Sequence, residues 1–487
     1  MNEISRREFL KLSALGVAGA ALVPALARDA LAGTPWAGPA ARGVVAPTGW
    51  DLVPGILTRI KAPVFPKRDF LVTKYGAVGD GEADASVALG KAIAACAAAG
   101  GGRVVVPEGK FLTGPIHLKS NVNLYVSGGA TLLFKTDPAA YLPRVLTRFE
   151  GVELMGLSPL IYAHGQKNIA ITGEGLLDGQ ADETHWWHWK GNARFGAQGA
   201  PNQAPARKRL FEMAEKGVPV AQRVFGPEDR LRPSFVEPYA CRNVLIEGIT
   251  IKRSPMWELH PTLCSNVTVR NVAIDSYGPN NDGCDPESCK DVLIEGCSFN
   301  TGDDCIAIKS GRNADGRRLN VPVENVIVRG CNMKDGHGGV SVGSEDSGGA
   351  RNIFVEKCRM DSPNLERALR LKTNAMRGGV LEHVYMRDVT VGQVAIAVLD
   401  IDFNYEEGPN GPFKPTVRHI ELRGVTSRKS QYAVYLKGFP GNPIQDVRVL
   451  GCTFADVARP NVIENVVGLV VKDTSINGKS AALQATP

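Results

Sequence analysis

The chain has 487 residues, 44% of them hydrophobic, with 54 glycines and 7% aromatic residues, a balance that suits a large core rich in strands and turns. Its formal charge of +6 is spread along the sequence. With no basic run and no aromatic ladder for base stacking, it argues against nucleic acid and is compatible with an acidic substrate.

The N-terminus carries Ser5-Arg6-Arg7-Glu8-Phe9-Leu10-Lys11, an apolar run from Leu12 to Leu26, and A-x-A sites at Ala25-Leu26-Ala27 and Ala30-Leu31-Ala32. Paired arginines before a short apolar region and a small-residue cleavage site read as a twin-arginine export signal over 1–32. An uncleaved anchor is the alternative. No later stretch reaches 18 apolar residues, so the mature protein is expected to be soluble, without stable membrane association, and periplasmic or extracellular.

Residues 33–68, rich in Pro, Gly and Ala and including Trp36 and Trp50, read as a linker that can lie against the body. From Phe70 the pattern changes. Asp84 is the expected N-cap of an Ala-rich helix that runs to Ala99 and stops at Gly100-Gly101-Gly102. A strand at Val104-Val105-Val106 follows. A helix closing the open end of a strand stack accounts for this order, because repeat stacks need a cap.

From about Ile169 the chain repeats itself. The first apolar position of each unit falls at Val244, Val267, Val292, Val326, Ile353, Val384, Ile420 and Val447. A second lies two residues on (Ile246, Val269, Ile294, Val328, Val355, Met386, Leu422, Val449), and a third five on (Ile249, Val272, Cys297, Cys331, Cys358, Val389, Val425, Cys452). Each unit is a strand, a bend and a second strand, with unit lengths of 23, 25, 34, 27, 31, 36 and 27 residues by subtraction. Units of this kind stack into a parallel β-helix rising about 4.8 Å per coil. The expected body is therefore an all-β, single-stranded parallel β-helix over 69–475 with an N-terminal capping helix. It is interrupted by an insertion over about 175–240 and followed by a tail over 476–487. Cysteines in the third slot read as buried hydrophobes, and Cys284 and Cys289 lack the second pair that a metal site needs.

Several units add a third strand: Cys305 to Lys309, Gly339 to Gly343, and Ala368 to Lys372. Period-two alternation turns Ile306/Ile308, Val340/Val342 and Leu369/Leu371 inward and Arg370 and Lys372 outward together. Beside these strands lie Asp282/Asp285, Asp303/Asp304 and His337. Asp282, Asp304, His337 and Arg370 are spaced 22, 33 and 33 residues apart, one per successive coil, and should form a ladder along one groove. Glycosidic bond hydrolysis needs two carboxyl sites at a fixed short separation. One rung plus side-chain offset is compatible with the roughly 6.5–9.5 Å that admits a water between acid and base. Crowding should keep one of the carboxyls protonated near neutral pH.

Four motifs, Asn280-Asn281-Asp282-Gly283, Gly302-Asp303-Asp304, Gly336-His337-Gly338 and Arg370-Leu371-Lys372, resemble the N-T-D-G, G-D-D, G-H-G and R-I-K of glycoside hydrolase family 28, the polygalacturonases and relatives. The resemblance runs from about Phe70 to Val471, and the departures, Asn281 and Leu371, remove no catalytic group. It implies a right-handed, pectin-lyase-like β-helix and an inverting hydrolase acting without a cofactor or metal. On it, Asp303 is the general acid, Asp282 and Asp304 activate water, and His337 supports the acid. Arg370 and Lys372 then bind a substrate carboxylate, with Asn280 beside them.

The insertion carries His185-Trp186-Trp187-His188-Trp189-Lys190. It is expected to wall one end of the groove, with a tryptophan such as Trp187 stacking on a sugar, which would make the enzyme exo-acting. Ser254 to Pro261 also resembles a groove-side stretch of exo-acting bacterial members and suggests His260 as a subsite residue. The expected substrate is an acidic pectic polymer or oligomer and the expected state a monomer. Rival readings are a rhamnogalacturonan or xylogalacturonan hydrolase of the same family, a calcium-dependent pectate lyase, and a non-catalytic β-helical adhesin.

Overall fold

The structure is a computed structural model that describes residues 49–481. The expected export signal, Trp36 and the last residues of the tail lie outside them.

Two fourteen-stranded sheets, parallel except for the last strand pair of the second, run the length of the body, and a six-stranded sheet forms the third wall of its later coils. Every first-slot residue from Val244 to Val447 pairs with its counterpart in the next coil, and so does every second-slot residue. The third slot is buried throughout. The third strands pair in the order Ile306–Ile308, Val340–Val342, Arg367–Lys372, Ala397–Asp402, with Ile306, Val340, Leu369 and Leu399 in one row. The chain is a parallel β-helix with a single apolar column at its axis.

Just before the first slot, Asn243, Asn266, Asn325 and Asn352 adopt left-handed backbone conformations. Their side-chain amides link coils: Asn266 donates to Asn243 at 2.8 Å and Asn352 to Asn325 at 3.0 Å. Asparagine tolerates positive φ and supplies both donor and acceptor, so it can occupy this corner in coil after coil.

The stack begins earlier than the repeat alignment shows. Strands Asp69–Leu71, Gly102–Val106, Val122–Val126 and Lys167–Gly173 belong to the same sheet as Arg242–Glu247. The capping helix spans Ser86–Ala98 and buries Ala88, Leu89, Ala92, Ile93 and Cys96 on the end of the core. Asp84 is not its N-cap residue; Ala85 holds that position, and the Asp84 carboxylate instead accepts from the Ser86 amide at 2.9 Å.

The stretch read as linker contains a short helix, Val53–Arg59, on the outer face of the first sheet. That face carries Leu293, Ile327 and Phe354, which are aligned in register and point away from the core. Trp50, Val53 and Ile56 cover them, and Arg59 pairs with Asp291 at 2.7 Å. The insertion is also shorter than expected. Leu176–Asp178 and Val236–Tyr239 are still sheet strands, so the excursion occupies 179–235. A second excursion, the antiparallel hairpin Val145–Phe149/Val152–Gly156, escaped the repeat analysis. At the other end, the expected tail begins inside a strand: Ser475–Ile476 pairs with Phe454 and with Lys479–Ser480. All ten cysteines are free and buried, Cys284 and Cys289 included.

Candidate active site

The third strands bring Asp282, Asp303 and Asp304 together. One oxygen of each lies within 4.8 Å of the others, tighter than the separation expected from one rung plus offset. Two hydrogen bonds of about 2.8 Å each can still span that gap through one water. The tight cluster holds because cations are built into it. Lys372 donates to Asp304 Oδ2 at 2.5 Å, and Ser341 Oγ to Asp304 Oδ1 at 2.8 Å. His337 Nδ1 lies 2.9 Å from Asp303 Oδ1. Asn280 Nδ2 approaches Asp303 Oδ2 at 3.4 Å, and its own Oδ1 accepts from Arg232 at 2.8 Å.

Sequence reasoning missed the cation at the centre. The Lys309 ammonium is buried 3.6 Å from Asp282, 3.3 Å from Asp285 and 3.2 Å from Glu345, and it sits over the Trp257 ring at 4.4 Å. The available signal was its place one residue past Ile308, in the row that one coil of Gly343 later reaches Lys372. Tyr405 was missed as well. Its ring lies 5.5 Å from the Arg370 guanidinium and 5.4 Å from the Lys372 ammonium, but it comes from a loop with no repeat signal.

These contacts sort the protons. Burial, with Asp303 close by, raises Asp282 to about 8 against the opposing pull of Lys309. Burial pushes Asp304 the same way, but Lys372 outweighs it and the group lies below its ordinary value. For Asp303, too, burial is the largest single influence and pushes upward. The hydrogen bond and charge of His337, aided by Lys372 and Lys309, reverse it and hold the carboxyl far below its ordinary value. The bond to Asp303 raises His337 to about 9. One of the three carboxyls is thus protonated at neutral pH, through burial first and crowding second, and it is Asp282 and not Asp303. The His337–Asp303 pair holds one further proton as a unit.

The carboxylate receptor divides. Lys372 is committed to Asp304, whereas the Arg370 guanidinium makes no hydrogen bond among the described residues and stands beside Tyr405. His260 is not a groove residue. It is fully buried, 2.8 Å from Glu287 and 3.8 Å from Glu237, under the 145–156 hairpin, whose Thr147 donates to Glu237 at 2.7 Å and whose Arg148 pairs with Glu287 at 2.8 Å. Trp187 is half-buried, with its indole N–H on the Ser254 carbonyl at 2.8 Å and its ring packed against Gly278. Trp186 and Trp189 are buried against one another, so the tryptophan run anchors the insertion. The three carboxyls converge closely enough to hold a cation, as a lyase would require, but Lys372 and His337 already supply positive charge to Asp304 and Asp303.

Three carboxyls with sorted protons, set along the outside of a parallel β-helix beside a free guanidinium, define a glycoside hydrolase. The chain belongs to glycosyl hydrolases family 28, whose pattern matches residues 225–470. A second pattern, rhamnogalacturonase A/epimerase, pectate lyase-like, matches residues 70–140. The chain is 26% identical to a probable polygalacturonase of Vitis vinifera over 85% of its own length and 78% of that protein. It is 26% identical to an exo-poly-alpha-D-galacturonosidase of Dickeya chrysanthemi, over 72% of this chain and 60% of that protein. Among solved structures, a hyperthermoactive exopolygalacturonase from Thermotoga maritima superposes with a TM-score of 0.85 at 46% identity, covering 88% of this chain and 96% of that one. The fold is accordingly the right-handed pectin-lyase-like β-helix.

Proposed function

We propose that this protein is an exo-acting polygalacturonase that hydrolyses α-1,4-galacturonosidic bonds with inversion. The observation that carries the reaction type is the clustering of Asp282, Asp303 and Asp304 within 4.8 Å, with His337 on one and Lys372 on another. The His337–Asp303 pair gives its proton to the glycosidic oxygen as that bond breaks. Asp304, kept ionised by Lys372, takes a proton from the water that attacks the anomeric carbon from the opposite face, and Asp282 orients that water. The free Arg370 supports an acidic substrate. The similarity to the Thermotoga enzyme supports exo action, as do the 145–156 hairpin and the 179–235 insertion. They share an apolar cluster of Phe149, Leu154, Leu210, Phe225 and Trp257 on the N-terminal side of the site.

The test is purified protein on de-esterified polygalacturonate, with and without chelator. Chelator-insensitive reducing ends, no new ultraviolet absorbance and galacturonate as the sole early product are expected. Absorbance that vanishes with chelator would replace hydrolysis by lyase chemistry. Long oligomers early in the reaction would make the action endo, and activity on rhamnogalacturonan alone would move the substrate within the family. Export by the twin-arginine route to the periplasm or beyond is part of the same proposal, supported by Arg6-Arg7 and the A-x-A sites. N-terminal sequencing of protein recovered outside the cytoplasm should start after Ala27 or Ala32. A monomer is the expected state, tested by light scattering.

A further inference from the structure

Two cations of the insertion are left over by this chemistry. Lys190 ends the short turn Trp187–Lys190; it is half-buried, and among the described residues its ammonium makes no hydrogen bond and no ion pair. Burial draws its pKa below the ordinary lysine value, Glu150 opposes that, Arg232 and Arg207 reinforce it, and Asp303 is near enough to pull upward. Arg207 holds one oxygen of Glu150 at 2.6 Å, and the other, buried without a hydrogen-bond partner, lies outside ion-pair range of the Lys190 ammonium.

Arg232 is 2% exposed and gives its donors to neutral acceptors only: Gln203 at 3.0 Å, the carbonyls of Pro255 and Pro279 at 2.9 and 2.7 Å, and Asn280 at 2.8 Å. A buried guanidinium with no carboxylate in ion-pair range is compensated only in part, here by Glu150, Asp303 and Asp282 at longer range. Burial accordingly pushes it down to about 10. Asn280 in turn touches Asp303. Trp189, next to Lys190, accepts from the Gln203 amide at 2.8 Å, the Gln203 side chain accepts from Arg232, and Arg232 donates to Asn280. This chain of contacts brings both cations up to the catalytic cluster from the insertion side, while Arg370 enters from a later coil. A carboxylate arriving between them would supply the partner both lack.

Resting on the reading of this chain as a galacturonan hydrolase, we propose that Lys190, backed by Arg232, binds the carboxylate of the terminal galacturonate that the enzyme releases. The insertion then does more than block the groove. It reads the acid group of the end unit, and Arg370 reads that of the unit across the scissile bond. A chain whose end unit is neutral would meet a desolvated cation with nothing to offer it.

The test compares kcat/KM for trigalacturonate and for the same trimer methyl-esterified at the unit that is released, using wild type, Lys190→Met and Lys190→Arg. Wild type should favour the free acid by at least about tenfold. Lys190→Met should lose about that factor on the acid and bring the acid-to-ester ratio close to one, and Lys190→Arg should restore most of the preference. Unchanged melting of the variants separates this from misfolding. A wild-type ratio kept by Lys190→Met overturns the proposal while leaving the galacturonan reading intact. Hydrolysis of neither trimer by wild type overturns that reading and the proposal with it.

Discussion

Burial and the neighbouring Asp303 keep Asp282 protonated up to about pH 8, and a carboxyl so raised weighs against the folded state. Its folded pKa exceeds the unfolded value, so its contribution is best below pH 4 and is lost as pH rises to about 8. Asp282→Asn removes that cost. It should therefore raise the melting temperature at pH 8 while lowering kcat by about 10²–10⁴-fold. A variant that melts lower would mean that the carboxylate is favourably paired by Lys309. His337 works the other way: with a folded pKa of about 9 it keeps the proton of the Asp303 pair through neutral pH and loses it as pH climbs past that value. His337→Gln should lower kcat/KM and move the alkaline limb of its pH profile towards acid, and an unmoved limb would assign that limb to another group. Arg370→Gln should raise KM for galacturonates with less effect on kcat, because the guanidinium touches no catalytic carboxyl. These residues were legible because each lies next to a third strand, where the repeat fixes both face and rung. Lys309 also lies there but has no place in the four motifs, and Glu345 and Tyr405 lie in loops that no period describes.

At the scale of elements, the repeat was read in register from Val244 to Val447 because an apolar residue must return to the axis in every coil. What that rule cannot show is what covers the outside. His260 illustrates the consequence. The resemblance of Ser254 to Pro261 to a groove-side stretch suggested the groove, but the 145–156 hairpin roofs His260 and seals it between Glu237 and Glu287. Burial lowers its basicity, the two carboxylates overcome that, and the imidazole stays charged to about pH 9. A histidine raised this way adds stability that is fully present below its unfolded pKa of about 6.5 and disappears as pH rises through 9. At about 1.4 kcal/mol per pKa unit the amount is about 3 kcal/mol. The denaturant midpoint of wild type should fall across that window, and His260→Gln should start lower and fall less. Parallel curves for the two proteins would show that His260 is neutral in the fold.

At the scale of the whole molecule, a stack of coils joined mainly to their neighbours gains from any element that spans several of them. The Val53–Arg59 helix is such an element. It lies across Leu293, Ile327, Phe354 and Tyr385 from four successive coils, and its leading Trp50 packs 5.3 Å from the Phe354 ring under the Arg387 guanidinium. The sequence does hint at it. The strands read Val-Leu-Ile, Val-Ile-Val and Ile-Phe-Val, continuous apolar runs where a sheet with one wet face would alternate. A composition rich in Pro, Gly and Ala hid the partner by making the covering segment look like spacer. Trp50→Ala removes much of that cover and should cost about 2 kcal/mol, less than a fully buried tryptophan because this one is only partly buried. The catalytic carboxyls belong to the third strands, on another wall of the coil, so kcat and KM well below the melting temperature should match wild type while the melting temperature drops. A change in kcat with unchanged melting would reverse this division, making the docked segment part of the catalytic apparatus and not a clamp on the stack.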